Sequence, residues 1–177
     1  MERQVLVSLI LFIVTVALLA VEAYVCSSND CTIGNHPHYG APMPLMVWNL
    51  TRRAPTTYDV YTAQTPGELL DGLMNYKFSC AIPNGCINGM LFLFPNDSQQ
   101  CFWMKNTPEP LTQIWFNASG VVTAVYNAAP EDTNTVCNEG NAVLELYSDM
   151  PEQVHVGDYL PFGGISAIRS QLAGTIP

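Results

Sequence analysis

The sequence predicts an α+β fold, mostly β: a compact domain of short, mainly antiparallel strands with one or two short helices, preceded by an N-terminal apolar helix. Three observations predict it. Short alternating or continuous apolar runs recur between clusters of turn-forming residues. One segment carries a complete helix-start signal. The run from Val5 to Val21 is apolar apart from Ser8 and Thr15. The chain has 177 residues, which suits one domain with extensions and a real core. Its formal net charge is −9, from 15 acidic and six basic residues. Such a surface repels phosphate backbones, so nucleic acid is not expected as a partner, and no Lys/Arg cluster would attract anionic lipid.

Residues 1–23 read as a targeting segment. Arg3 supplies a weak positive start, and Val21 and Ala23 occupy the small-residue positions of a cleavage site before Tyr24. The apolar run also reaches the lower length of a spanning helix, so a cleaved signal peptide and a retained anchor are close alternatives. Either one places the rest of the chain outside the cytoplasm, secreted or tethered by residues 5–21, with no other membrane contact. Residues 24–43 are rich in Asn, Ser, Pro and Gly and read as a spacer; residues 44–162 read as the globular domain and 163–177 as a weakly patterned tail.

Within the domain, Met46 to Leu50 and Thr57 to Thr62 read as the first strands. Thr65-Pro66-Gly67-Glu68 then combines a favoured N-cap, Pro at N1 and Glu at N3, and Leu69, Leu70, Leu73 and Met74 follow on one helical stripe. That helix should end near Asn75. Cys80 to Cys86 encloses a turn composition. Met90 to Phe94 is a continuous apolar run expected to be a buried strand, closed by a turn at Pro95 to Ser98. Gln100 to Met104 and Leu111 to Phe116 read as strands, Val121 to Tyr126 as the return arm of a hairpin, and Asn141 to Tyr147 and Tyr159 to Phe162 as the last strands.

Three sequons, at Asn49, Asn96 and Asn117, are candidate glycosylation sites. Six cysteines follow the apolar segment, an even set expected to form disulfides in an oxidising compartment. Many pairings are possible; local closure favours Cys26–Cys31 and Cys80–Cys86, leaving Cys101–Cys137. Their spacing lacks paired CxxC knuckles, which disfavours zinc. His36-Pro-His38, with Met43 and Met46, is a conceivable copper or nickel set, but methionines here serve better as gap-fillers, and no metal is assigned. No cofactor signature is present: the chain has neither GxSxG nor a glycine-rich phosphate loop, and no Ser–His–Asp set suggests itself.

Lys105 is one of only two lysines and lies within FWMKNT, Phe102 to Thr107. If the strand runs that far, alternation puts Trp103 and Lys105 on one face. Glu145 lies in a second apolar strand, so a buried Lys105–Glu145 ion pair is the expected structural reading. The competing reading makes Lys105 a ligand-facing cation beside Trp103 and Asn106. Asp158 is expected to cap a turn.

GLM at Gly72 to Met74, GMLFLF at Gly89 to Phe94, FWMKNT, Pro110-Leu111, Gly120-Val-Val122, Ala129-Pro130, Val143 to Leu146 and Val156-Gly-Asp158 occur in that order. The series resembles the family called domain of unknown function 192, or uncharacterised protein family 0127. The resemblance spans residues 57–162. It implies a compact β-rich fold with a short helix, often exported, and it carries no catalytic residue or cofactor. This chain departs from the family pattern at Thr112, where an acidic residue usually follows Pro-Leu. The resulting expectation is a non-catalytic extracytoplasmic module that binds a ligand or envelope component. The alternative is an exported enzyme, such as a hydrolase, with a site around Trp103, Lys105 and Asn106.

Overall fold

The computed structural model describes residue 39 and residues 42–76, 87–148 and 154–174. These belong to one unit, His36–Phe78 with Ile87–Pro177; the other, Met1–Asn35 with Ser79–Cys86, lies outside the described residues. The targeting segment, His36, His38 and the disulfide positions Cys26, Cys31, Cys80 and Cys86 therefore lie outside them too. Among the described residues no helix is long and apolar enough to cross a membrane.

Six strands and two short helices follow in order: β1 (Met43–Asn49), β2 (Ala54–Ala63), α1 (Pro66–Asp71), β3 (Gly89–Phe102), β4 (Leu111–Phe116), β5 (Val122–Ala128), β6 (Val136–Tyr147) and α2 (Gly164–Ala173). The strands form one sheet in the order β1-β2-β3-β6-β4-β5. β2 and β3 run parallel; every other neighbouring pair is antiparallel. The parallel step is the one that requires a crossover, and α1 lies in that connection. The predicted α+β, mostly β architecture is the observed one.

Burial explains the sequence pattern. β1 alternates, with Met43, Leu45 and Val47 buried and Pro44 and Met46 exposed, as a strand covered on one face does. The central strands are covered on both faces, so Met90 to Leu93 of β3 and Gly140 to Tyr147 of β6 are continuously buried. One face packs Leu45, Tyr58, Leu91, Ile114, Phe116 and Leu144 against Leu160, Ile165 and Ile168. The other packs Met90, Phe92, Trp115, Val143 and Tyr147 against Leu73, Tyr76 and Met104. Segment 163–177, read from the sequence as a tail, thus supplies α2 and two buried isoleucines to the core.

Other elements differ from expectation in instructive ways. The capping box is present: the Glu68 amide donates to Thr65 Oγ1, and the Thr65 amide donates to Glu68 Oε2. The helix stops at Asp71 instead of near Asn75, because Gly72 takes φ 48° and leaves the helical path. The turn expected at Pro95 to Ser98 is a bulge inside one long strand. From Leu93 to Ser98 on β3, the partner on β6 moves only from Ala142 to Gly140. β3 ends at Phe102, so Trp103 to Lys105 are not strand residues. Gly89 is demanded by packing: a Cβ there would lie 1.8 Å from the Glu145 carbonyl oxygen.

The last predicted strand is a single bridging residue. The Trp48 amide donates to the Tyr159 carbonyl at 2.8 Å and the Tyr159 amide donates back at 3.2 Å. Tyr159 also bridges to Val121. The two flanks of the sheet, β1 and the approach to β5, are joined through residues 157–160.

Candidate functional site

Glu145 sits on β6 and points to the face covered by α1 and the FWMKNT loop. It is 4% exposed. Its register partner on β4 is Gln113, also buried, whose Nε2 donates to Glu145 Oε1 at 3.0 Å. Glu145 Oε2 accepts no hydrogen bond among the described residues. Burial pushes the carboxyl up to about 7, opposed only by the Gln113 bond, which favours the ionised form. Tyr39 and Tyr147 lie in its field. Burial, then nearby acids, holds the Tyr39 hydroxyl up to about 12, and burial, then Tyr76 and Glu145, holds Tyr147 higher still, so both remain neutral near pH 7. The Tyr39 hydroxyl donates to the Gly72 carbonyl at 2.8 Å, tying this face to the end of α1.

The carboxyl forms part of the wall of a cavity of about 290 Å³ between Leu69–Met74 and the end of β3. Phe92, Phe102 and Trp103 supply aromatic walls, Gln100 and Thr107 polar ones, and Asp71 an exposed second carboxylate. Phe102 meets Phe92 edge-on at 4.9 Å and Trp115 at 6.0 Å, which fixes its ring. Trp103 is 45% exposed.

FWMKNT is a tight loop whose residues divide their labour. Met104 is buried, and its amide donates to the Asp132 carbonyl. Thr107 is buried, and its amide donates to the Met104 carbonyl. Asn106 takes φ 56°, a left-handed turn conformation that Asn tolerates, and its carbonyl accepts from the Asn75 amide at 2.6 Å. The loop is thereby fastened to the residues after α1. Lys105 is exposed, with Nζ 5.2 Å from the centroid of the Trp103 ring. The expected buried Lys105–Glu145 pair is thus replaced by two separate arrangements: the lysine lies over Trp103 and the glutamate lies against Gln113. Alternation was extended past the end of the strand, and Gln113 was the missed partner. Its signal was available, since Gln113 and Glu145 are the polar residues in the middles of two apolar strands.

A larger cavity, about 700 Å³, lies on the other side of β4 and includes Thr112, Ile114, Asn127, Leu146 and His155. Its ionisable groups are Tyr147 and a His155 that is 59% exposed, so the smaller cavity holds the more demanding chemistry. Thr112 Oγ1 donates to Asn127 Oδ1 at 3.1 Å.

The remaining predicted residues fall as follows. Cys101 and Cys137 form a disulfide between register partners of β3 and β6. Asn49 is 6% exposed and its Nδ2 donates to Asp158 Oδ2, so the folded chain has no room for a glycan there. Asn96 is exposed. Asn117 Oδ1 accepts from the Ser119 and Val121 amides and organises its turn. Asp158 does cap a turn, accepting from the His155 amide, and it reaches β1 as well through the Leu50 amide and Asn49. Among the described residues no group of three or more His, Cys, Asp or Glu is placed to hold a metal ion.

A mixed six-stranded sheet with one capped crossover helix and a C-terminal helix defines a mostly β, α+β domain, and solved structures share it. A protein from Sinorhizobium meliloti 1021, described as a proposed transcription regulator, is 26% identical with a TM-score of 0.59. The match covers 69% of this chain and 93% of that one. A protein of unknown function from Novosphingobium aromaticivorans DSM 12444 is 22% identical, also with a TM-score of 0.59. It covers 76% of this chain and 100% of that one. The chain belongs to the DUF192 family, described as "Uncharacterized ACR, COG1430", which matches residues 48–162. No curated protein matches it.

Proposed function

We propose that this chain is a non-catalytic binding module working outside the cytoplasm, and that it holds a small ligand in the cavity between α1 and the FWMKNT loop. The observation that carries the binding reading is the cavity itself. Glu145, buried and with one carboxyl oxygen that accepts no hydrogen bond among the described residues, forms part of its wall together with the half-exposed Trp103. Burying an acid without a cation is costly, and a ligand that engages it would offset that cost. The loop supports specificity because its backbone is pinned at Met104, Asn106 and Thr107. The export reading rests on the apolar run of residues 5–21 and on the disulfide, which suits an oxidising exterior.

Two experiments test this. N-terminal sequencing of the protein isolated from its native host should begin at Tyr24, or at Met1 in the membrane fraction; an intact chain in the cytoplasm overturns export. A thermal-shift screen against small metabolites should yield ligands whose effect is lost in Trp103→Ala. Hits unaffected by that change would place binding elsewhere.

An exported hydrolase is the second reading. The Glu145 carboxyl, held near 7, has the value that a general acid or base requires. It predicts turnover of ester, amide or glycoside substrates with an inflection near pH 7 that vanishes in Glu145→Gln. A role in transcription regulation, the description given to the Sinorhizobium meliloti protein, would fit poorly here if it required direct nucleic-acid contact by a chain of net charge −9.

A further inference from the structure

We propose that the cavity beside Glu145 takes a small organic cation, with an ammonium group on Glu145 Oε2 and an apolar body against Phe92, Phe102 and Trp103. This deepens the binding reading above and rests on it.

Five observations carry the inference. The Glu145 carboxyl lies in the cavity wall, and its Oε2 accepts no hydrogen bond among the described residues. Gln113 donates to the other oxygen and so holds the group in place without neutralising it. A cation can therefore add a charge-assisted hydrogen bond where a neutral donor adds a weaker one. Aromatic faces attract cations, and Phe92, Phe102 and Trp103 line the cavity. Asp71 adds a second carboxylate to the cavity lining, and the whole chain carries −9, so the approach of a cation is favoured over that of an anion. At about 290 Å³ the cavity admits a ligand the size of a single ring with a short side chain.

The pH dependence follows from the groups around Glu145. Tyr39 and Tyr147 face it and stay neutral, and Gln113 does not titrate, so Glu145 itself governs the change near neutrality. An ammonium ligand binds the ionised carboxyl. Affinity should therefore rise with pH through about 7 and level off above it. At pH 5 the carboxyl is almost wholly protonated, and binding should be roughly a hundredfold weaker than at pH 8.

The test uses the full chain in mild detergent and three probes of similar shape: phenethylamine, 2-phenylethanol and 3-phenylpropanoate. Calorimetric titration at pH 8 should show phenethylamine binding at least tenfold more tightly than either of the others. Glu145→Gln keeps the shape and the Gln113 contact, so it should fold, as circular dichroism would verify, and lose the preference together with its pH dependence. Glu145→Asp, which keeps the charge, should retain part of the preference. Equal binding of the amine and the alcohol, or amine binding unchanged in Glu145→Gln, overturns the cation assignment while leaving the cavity as a binding site. Preference for 3-phenylpropanoate also overturns it. Failure of all three probes to bind at millimolar concentration overturns both this inference and the reading on which it rests.

Discussion

Glu145 and Lys105 show how two charges in apolar surroundings reach different solutions. Glu145 is buried as an acid that ionises reluctantly. Its folded value, about 7, lies above the ordinary 4.5, so the folded state holds the proton more tightly than the unfolded chain. The stability this confers is complete below about pH 4.5, declines as pH rises, and is gone above about 7. The span corresponds to roughly 3 kcal/mol. Glu145→Gln should therefore match the parent at pH 4 and exceed it at pH 8, as read from urea midpoints at the two pH values; equal differences at both would contradict the assignment. Lys105 lies in solvent against Trp103. Lys105→Met should change stability by no more than about 0.5 kcal/mol, because only an exposed ring contact is lost. Loss of a buried pair would cost about 3–5 kcal/mol, and the same urea curves separate the two cases. The residue patterns made Glu145 legible as a costly group but named the wrong partner. Pairing across strands is set by register, and register emerges only when the sheet assembles.

At the scale of elements, legibility followed the strength of the local signal. Leu111 to Phe116 was read to the residue, because Pro110 and Asn117 bound it closely. Thr65 to Glu68 announced α1 through chemistry confined to four residues, and the hydrogen bonds are those the capping box requires. Thr65→Ala should destabilise by about 1 kcal/mol, measured as a shift in the denaturation midpoint; no shift would mean that Glu68 alone secures the end. What was missed depends on distant partners. Pro95 to Ser98 has turn composition, yet β6 on one side keeps the chain extended around a bulge. α2 has a weak stripe and two neighbouring glycines at its start, and it is held by burial of Ile165 and Ile168 beneath it, not by its own propensity. Of the residues singled out from the sequence, Trp103 lines the cavity and Asn106 fastens the loop, whereas Gln113 and Asp71 enter the candidate site through topology.

At the scale of the whole molecule, Asp158 is a polar residue that joins distant segments. It is 2% exposed and accepts from two backbone amides and the Asn49 side chain, joining residues 154–158 to the end of β1. Asp158→Ala would remove the acceptor of the buried Asn49 amide and of the part-buried Leu50 and His155 backbone amides. A loss of about 2–4 kcal/mol is expected, checked by thermal unfolding; a change under about 1 kcal/mol would show that water replaces the carboxylate. The Cys101–Cys137 bridge links strands already paired through their backbones.

The place of β6 has a consequence for how the chain is made. β6 is the last strand in sequence, yet it lies between β3 and β4 in the sheet. Before residues 136–147 have been synthesised, β1-β2-β3 and β4-β5 share no ladder and neither half can cover its apolar side. A growing chain must therefore remain unassembled until β6 has been made, and then join two waiting halves in one late step. Such a chain stays threadable for most of its synthesis. A nascent chain halted before Val136 should be digested readily by protease, and one extended past Ala173, with α2 in place over the sheet, should resist.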